Sequence, residues 1–206
     1  MALGSVLTYT LVSEVFAEQL SVQTELRGSL WDGSIAMRCL QPVGVVAQFA
    51  AGMMGRWAFN FAAFSLPLLL LAPALRVDPR PADAAAALLF LCSLLFAVAI
   101  GLAIEFLWGA LAVRIAVGIW MVEQLRNAVT ALLSGALLPL ALLPWGIGRI
   151  FQWLPFASMA STPLRLYTGT GSPWLLALQV GWAVFLGLAA AWAWRRSRER
   201  MVSYGG

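Results

Sequence analysis

Between Asp83 and Glu105 the chain carries no charged residue; it is built from Ala, Leu, Ile, Val and Phe, with a single Cys, Ser and Gly. A helix crossing a bilayer needs about 20 consecutive, mostly apolar residues. In lipid such a segment must be helical, because every backbone N–H and C=O has to find its partner within the segment. The rest of the chain agrees. It is 62% hydrophobic and 11% charged over 206 residues, where soluble domains are roughly half apolar and a quarter charged. A soluble core of this size cannot hide that much apolar surface. Ten Trp fit the same reading, since indole rings favour the headgroup layer.

Reading outward from this run predicts an all-α, polytopic membrane protein with about five spans. The first runs from Leu3 to Leu20 and carries Glu14 and Glu18 one turn apart on one helical face. A polar stretch follows from Ser21 to Met37, then Pro42 and an interfacial stretch from Gln48 to Arg56. The second span is Trp57 to Leu75. Arg76-Val77-Asp78-Pro79-Arg80-Pro81 reads as a turn, because two prolines and three charges do not continue a buried helix. The third span extends from Ala84 to Val113, longer than a bilayer needs, which implies tilt or an interfacial first turn. Arg114, Glu123 and Arg126 bracket a short amphipathic connection. The fourth span is Asn127 to Leu143, broken at its far end by Pro139 and Pro144. The segment 145–172 is punctuated by Gly146, Gly148, Pro155, Pro163, Gly169 and Gly171. It predicts one or two short helices at the interface or dipping into it. The fifth span is Trp174 to Trp194, followed by the basic stretch Arg195 to Arg200.

All thirteen basic residues are Arg, and their distribution sets the orientation. With the C-terminus in the cytoplasm, Arg27, Arg38, Arg56, Arg114, Arg126, Arg195, Arg196, Arg198 and Arg200 fall inside. Arg76, Arg80, Arg149 and Arg165 fall outside, and so does Met1. Nine against four obeys the positive-inside rule. The scatter of Arg over span ends is a topology signal, not a nucleic-acid footprint.

Several chemistries are excluded. There is no His, so Ser-His-Asp catalysis and His-ligated metals are absent. Cys39 and Cys92 have no metal-type spacing, and one lies in a polar loop while the other lies in an apolar run. No Gly-x4-Gly-Lys-Ser/Thr phosphate loop exists, and Lys is absent altogether. Glu105 stands apart as an ionisable group inside a span, which is costly and often functional. It reads as a proton site, a substrate contact or a partner for Arg114, although nine positions on one helix separate the last two by about 13–14 Å.

Three stretches resemble the permease subunits of type-2 ABC exporters, in particular the compact bacterial branch of ABC-2 family transporter proteins. The first is Asp32-Gly33-Ser34-Ile35-Ala36 with Leu40 and Pro42-Val43. The second is Leu133-Ser134-Gly135-Ala136-Leu137-Leu138-Pro139, then Pro144-Trp145, Leu154-Pro155-Phe156, Pro163, Tyr167 and Gly169. The third is the tail from Trp194-Arg195-Arg196 to Gly205-Gly206. The resemblance covers essentially the whole chain, and the middle motif is the most specific. Two features depart from it: the chain begins where the family's second span would, and Gln41 stands where the family often has Arg.

The resemblance implies one transmembrane domain over 1–206. Within it, 21–56 would be a cytoplasmic coupling segment, 145–172 an outer re-entrant segment and 195–206 a cytoplasmic tail. Glu25, Arg27, Asp32, Gly33, Ser34, Arg38 and Pro42 would meet an ATPase subunit. Pro139, Pro144, Pro155, Phe156, Pro163 and Tyr167 would shape the outer gate. The chain would bind no cofactor; ATP and Mg would sit in the partner ATPase. A second permease copy or paralogue would complete the transporter in a bacterial inner membrane, with no nucleic-acid partner. An ion-coupled carrier using Glu14, Glu18 or Glu105, or a membrane scaffold without a substrate path, stands as the alternative.

Overall fold

The computed structural model describes residues 3–75, 77–115, 119–136 and 139–204. Met1, Arg76, Leu137, Leu138, Gly205 and Gly206, all used above, lie outside the described residues, as do the side chains of Trp145, Arg198 and Arg200. Among the described residues all the regular structure is helical, with no strand.

In order, the elements are α1 (Leu3–Val15), α2 (Ala17–Leu20), α3 (Leu26–Trp31), α4 (Ile35–Cys39), α5 (Val45–Asn60), a π-helical turn (Phe61–Ser65), α6 (Leu66–Leu71), α7 (Ala84–Ile115) and α8 (Ile119–Ser134). Two 3-10 turns, Leu140–Leu142 and Pro144–Gly146, lead into α9 (Ile147–Phe151), α10 (Pro155–Met159), α11 (Ser161–Tyr167) and α12 (Trp174–Tyr204). Among the described residues, three continuous helical stretches are long and apolar enough to cross a membrane: Val45–Leu71, Ala84–Arg114 and Trp174–Ser197. The uncharged run after Asp83 forms the middle of the bundle. Ala97, Ile100, Ala103, Ile104, Phe106 and Ala110 of α7 are buried, while Leu88, Leu91 and Leu95 on its other side stay exposed. A helix that is apolar all round serves both environments. The long helix α12 packs parallel to α7, with Gln179 facing Ser93 toward the N-terminal ends of both helices and Ser197 facing Arg114 toward their C-terminal ends.

The first and fourth expected spans are the shorter members. α1 has 13 residues and α8 has 16, or roughly 20 and 24 Å of rise. α1 runs into α2 with only a bend at Phe16, where Leu20 N still donates to Phe16 O at 2.9 Å. The fourth span differs from its expected bounds at both ends: the helix begins at Ile119 and stops at Ser134. Gly135 takes φ 75°, a left-handed conformation that ends a helix and favours glycine. The stretch Gln48–Arg56, expected to be interfacial, belongs to the same continuous helix as the second span. Gln48 satisfies its amide locally, donating to the carbonyls of Arg38 at 2.9 Å and Val43 at 2.8 Å.

Candidate functional site

At one end of the bundle, three elements meet on a single carboxylate. The bend between α2 and α3 lies close against α7, because Gly101 has no side chain. A Cβ there would sit 2.6 Å from Val22 Cβ. This contact carries Thr24 to Glu105, whose Oε1 accepts from Thr24 N at 3.2 Å and from Thr24 Oγ1 at 3.0 Å. Thr24 Oγ1 also accepts from Leu26 N at 3.1 Å, at the start of α3. The other carboxylate oxygen of Glu105 is ion-paired with Arg126 of α8. The two side chains are 7% and 8% exposed. A charge buried that deeply persists only when paired and hydrogen-bonded. Here each charge neutralises the other, and Arg126 Nη2 also donates to Asn127 Oδ1 at 3.0 Å.

One turn earlier on α8, Glu123 pairs with Arg27 of α3. The Arg27 guanidinium lies 4.1 Å from the centroid of the Trp120 ring, within cation–π range. Trp120, Glu123 and Arg126 recur every three residues, so they share one face of α8. That face is turned to α3 and α7. One ion pair and a cation–π contact therefore fasten the segment after α2 to α8, and the Thr24 hydrogen bonds fasten it to Glu105 of α7, itself ion-paired with α8.

The rest of this segment is a helix–turn–helix. Gly33, at φ 74°, reverses the chain between α3 and α4. Asp32 Oδ1 accepts from Ser34 N at 2.9 Å. The Ser34 backbone N–H, then its hydroxyl, hold the Asp32 carboxyl below its ordinary range. Arg38 approaches Glu25 at 3.4 Å and lies 4.6 Å from the Phe49 ring centroid. Glu25, Asp32 and Pro42 are exposed. Of the residues expected to meet an ATPase, Arg27 is thus committed inward, while Glu25, Asp32 and Pro42 face outward.

Beyond Arg126, between α1, α7 and α8, a cavity of about 310 Å³ is lined by Ser13, Glu14, Asn127, Thr130 and Ser134 along with apolar groups. Arg126 lines it and Glu105 does not. Glu105 therefore has its carboxylate occupied by the protein itself. The Arg114 alternative is corrected: Arg114 Nε donates to Ser197 Oγ at 3.0 Å. The separation along α7 keeps Arg114 from Glu105, and α8 supplies the cation instead.

The opposite end is made of short helices. The far end of α8 is tied to α1, with Tyr9 Oη donating to Gly135 O at 2.7 Å and Ser13 Oγ donating to Ala136 O at 2.9 Å. Pro139 is buried, and Pro144 is exposed at the start of a 3-10 turn. Pro155 opens α10, where a missing N–H costs nothing. Phe156 packs against the main core, and Pro163 is fully buried within α11. Tyr167 donates to Pro79 O and accepts at its own carbonyl from Ala82 N at 3.0 Å, closing this end over the turn before α7.

Thr24, Glu123, Arg126 and Gln179 are site residues that the sequence did not single out as partners. Gln179 is fully buried. Its Nε2 donates to the carbonyls of Ser93 at 2.8 Å and Ser158 at 2.7 Å, and its Oε1 accepts from Ser93 Oγ at 2.8 Å. A lone Gln in the span from Trp174 was the one available signal for it.

A family profile described as "ABC-2 family transporter protein" matches residues 2–205. No curated protein and no solved structure matches the chain.

Proposed function

This chain belongs to the ABC-2 family of transporter proteins, and we propose that it is the permease subunit of an ABC exporter whose ATP is hydrolysed by a separate ATPase subunit. The permease components of this family are generally non-catalytic, and the chain has no phosphate loop of its own.

The carrying observation is the double attachment of the α3–α4 segment to α7 and α8 through Thr24–Glu105–Arg126 and Arg27–Glu123. In our reading the ATPase binds the exposed side of this segment, around Glu25, Asp32 and Pro42. ATP-driven closure pushes α3 and α4. Arg27–Glu123 carries that push directly to α8, and Thr24–Glu105–Arg126 carries it through α7, because that buried pair cannot separate without exposing two charges to a low-dielectric interior. The far end of α8 is bonded to Tyr9 and Ser13 of α1, so tilting α8 strains the short helices that close the opposite end. The cavity of about 310 Å³ beside Arg126 lies where such a movement would change its shape. It suits an amphipathic substrate, with polar groups from α1 and α8 and apolar groups from α7. The Arg distribution supports a cytoplasmic C-terminus, and a second permease copy or paralogue completes the transporter.

The test is copurification from detergent with a candidate ATPase subunit, followed by reconstitution into vesicles. A stable complex whose ATP turnover drops on changing Asp32, Gly33 or Arg38 is the expected result. Solute movement driven by an ion gradient, with no ATPase present, would overturn the reading in favour of a secondary carrier.

A further inference from the structure

On the side of α7 away from α8, the packing of α7 against α12 leaves a groove. Ala99 and Ala103 of α7 and Gly187, Ala190 and Ala191 of α12 are too small to fill the space between these helices and Val46 of α5. The resulting apolar cavity is about 610 Å³, and Trp194 and Arg195 line it at the end nearest the α4–α5 turn. A second cavity of about 370 Å³ adjoins it, sharing Val46 and Trp194. This one is lined by Cys39 and the turn from Gln41 to Gly44. The two together have the form of an amphiphile, with a long apolar slot opening into a polar pocket.

Both sources of charge at the junction are positive. Arg195 is exposed, and its Nε donates to Ala191 O at 3.2 Å. Gly44 is the N-cap of the long helix that begins at Val45, and no side chain caps that end. Gly44, Val45 and Val46 line the polar pocket, which places the positive end of the helix dipole at its wall. An arginine beside uncapped amides complements an anion, and basic pockets between membrane helices take anionic lipid headgroups.

We propose that this bipartite cavity binds one anionic phospholipid, with an acyl chain between α5, α7 and α12 and the phosphate between Arg195 and the first amides of α5. The occupied site braces the turn through which α4 passes into α5. Assigning it to the cytoplasmic leaflet rests on the orientation proposed above; the binding itself does not.

The test uses the full chain in detergent, titrated with phosphatidylglycerol and with phosphatidylcholine of the same acyl chains. Native mass spectrometry reads retained lipid and the unfolding midpoint reads stabilisation. Wild-type protein retains phosphatidylglycerol and is stabilised by it, and phosphatidylcholine does neither. Arg195→Gln weakens phosphatidylglycerol binding about fivefold, the effect of one arginine near an anionic headgroup. Gly187→Leu obstructs the slot and weakens binding. A Cβ at Gly187 meets no atom within 4 Å, so this variant keeps the lipid-free unfolding midpoint of the wild type. Equal retention of both lipids, or wild-type binding by either variant, overturns the proposal. Loss of a dimer in Gly187→Leu with phosphatidylglycerol still bound assigns the groove to a second copy and also overturns it. No readout involves ATP or transport, so failure here leaves the permease reading standing.

Discussion

Glu105 of α7 and Arg126 of α8 form a buried ion pair, and Thr24 holds the carboxylate from the other side. Removing either partner strands a charge in the bundle. Glu105→Ala and Arg126→Ala are each expected to lose about 3–5 kcal/mol of stability. The double variant Glu105→Leu/Arg126→Leu should recover most of that loss, since apolar replacement of a buried pair is often neutral. It should still fail to couple ATP turnover to conformational change. Unfolding midpoints of the three variants, together with the ATP turnover of their complexes, separate the structural role from the coupling role.

The pair between Arg27 and Glu123 behaves differently because its side chains are 39% and 20% exposed. Such a pair contributes about 0–1 kcal/mol. Arg27→Glu should therefore leave the fold intact while loosening α3 from α8 and lowering permease-stimulated ATP turnover. The charge swap Arg27→Glu/Glu123→Arg should restore turnover. A swap no better than the single variant would show that this contact transmits nothing.

The Asp32-Gly33-Ser34 turn makes a prediction in conformation and one in pH. Gly33→Ala forces a Cβ into the left-handed region, at a cost of about 1–2 kcal/mol, and should weaken ATPase copurification. Hydrogen bonds from Ser34 lower the Asp32 carboxyl from its ordinary 3.8. A carboxyl depressed in the folded state stabilises the turn above its ordinary pKa and loses that contribution as pH falls through the folded value. Protection of the Ser34 amide from hydrogen exchange should therefore fall as pH drops below about 4. In Asp32→Asn it should show no such inflection.

Gln179 joins α12 to both α7 and α10 through three hydrogen bonds. Gln179→Leu removes all three bonds from an apolar interior, including the acceptor of the Ser93 hydroxyl. The expected loss is about 1–3 kcal/mol, read as a lower unfolding midpoint in detergent. Gln179→Glu should fare no better, because a carboxylate cannot donate to either carbonyl.

The parts of the fold visible in the sequence are those set by local composition. The uncharged run after Asp83 became the central helix, and the two prolines after Asp78 stand between helices. The end of α8 was hidden, since Leu140 to Leu143 is as apolar as a span and only the left-handed turn at Gly135 stops the helix. The π-helical turn at Phe61–Ser65 left no mark in an otherwise regular apolar stretch. At the site, the cost of burying Glu105 was legible, but its partner was not. The cation on the same helix is Arg114, too far along it to pair, whereas Arg126 reaches Glu105 only once α8 folds back beside α7. Thr24 was less visible still, because its role depends on the close approach that Gly101 permits from another helix.

In the proposed coupling, the α3–α4 segment receives the push of a separate ATPase. The most direct measurement places a photoreactive residue at Asp32, which is exposed on that segment, and another at Ile150, exposed among the short helices at the opposite end. Each is crosslinked in membranes holding the coexpressed ATPase subunit. Asp32 is expected to yield a crosslinked species identified by sequencing as that ATPase, with its yield changed by ATP, and Ile150 none. No ATPase adduct from Asp32, or equal adducts from both positions, would contradict the account.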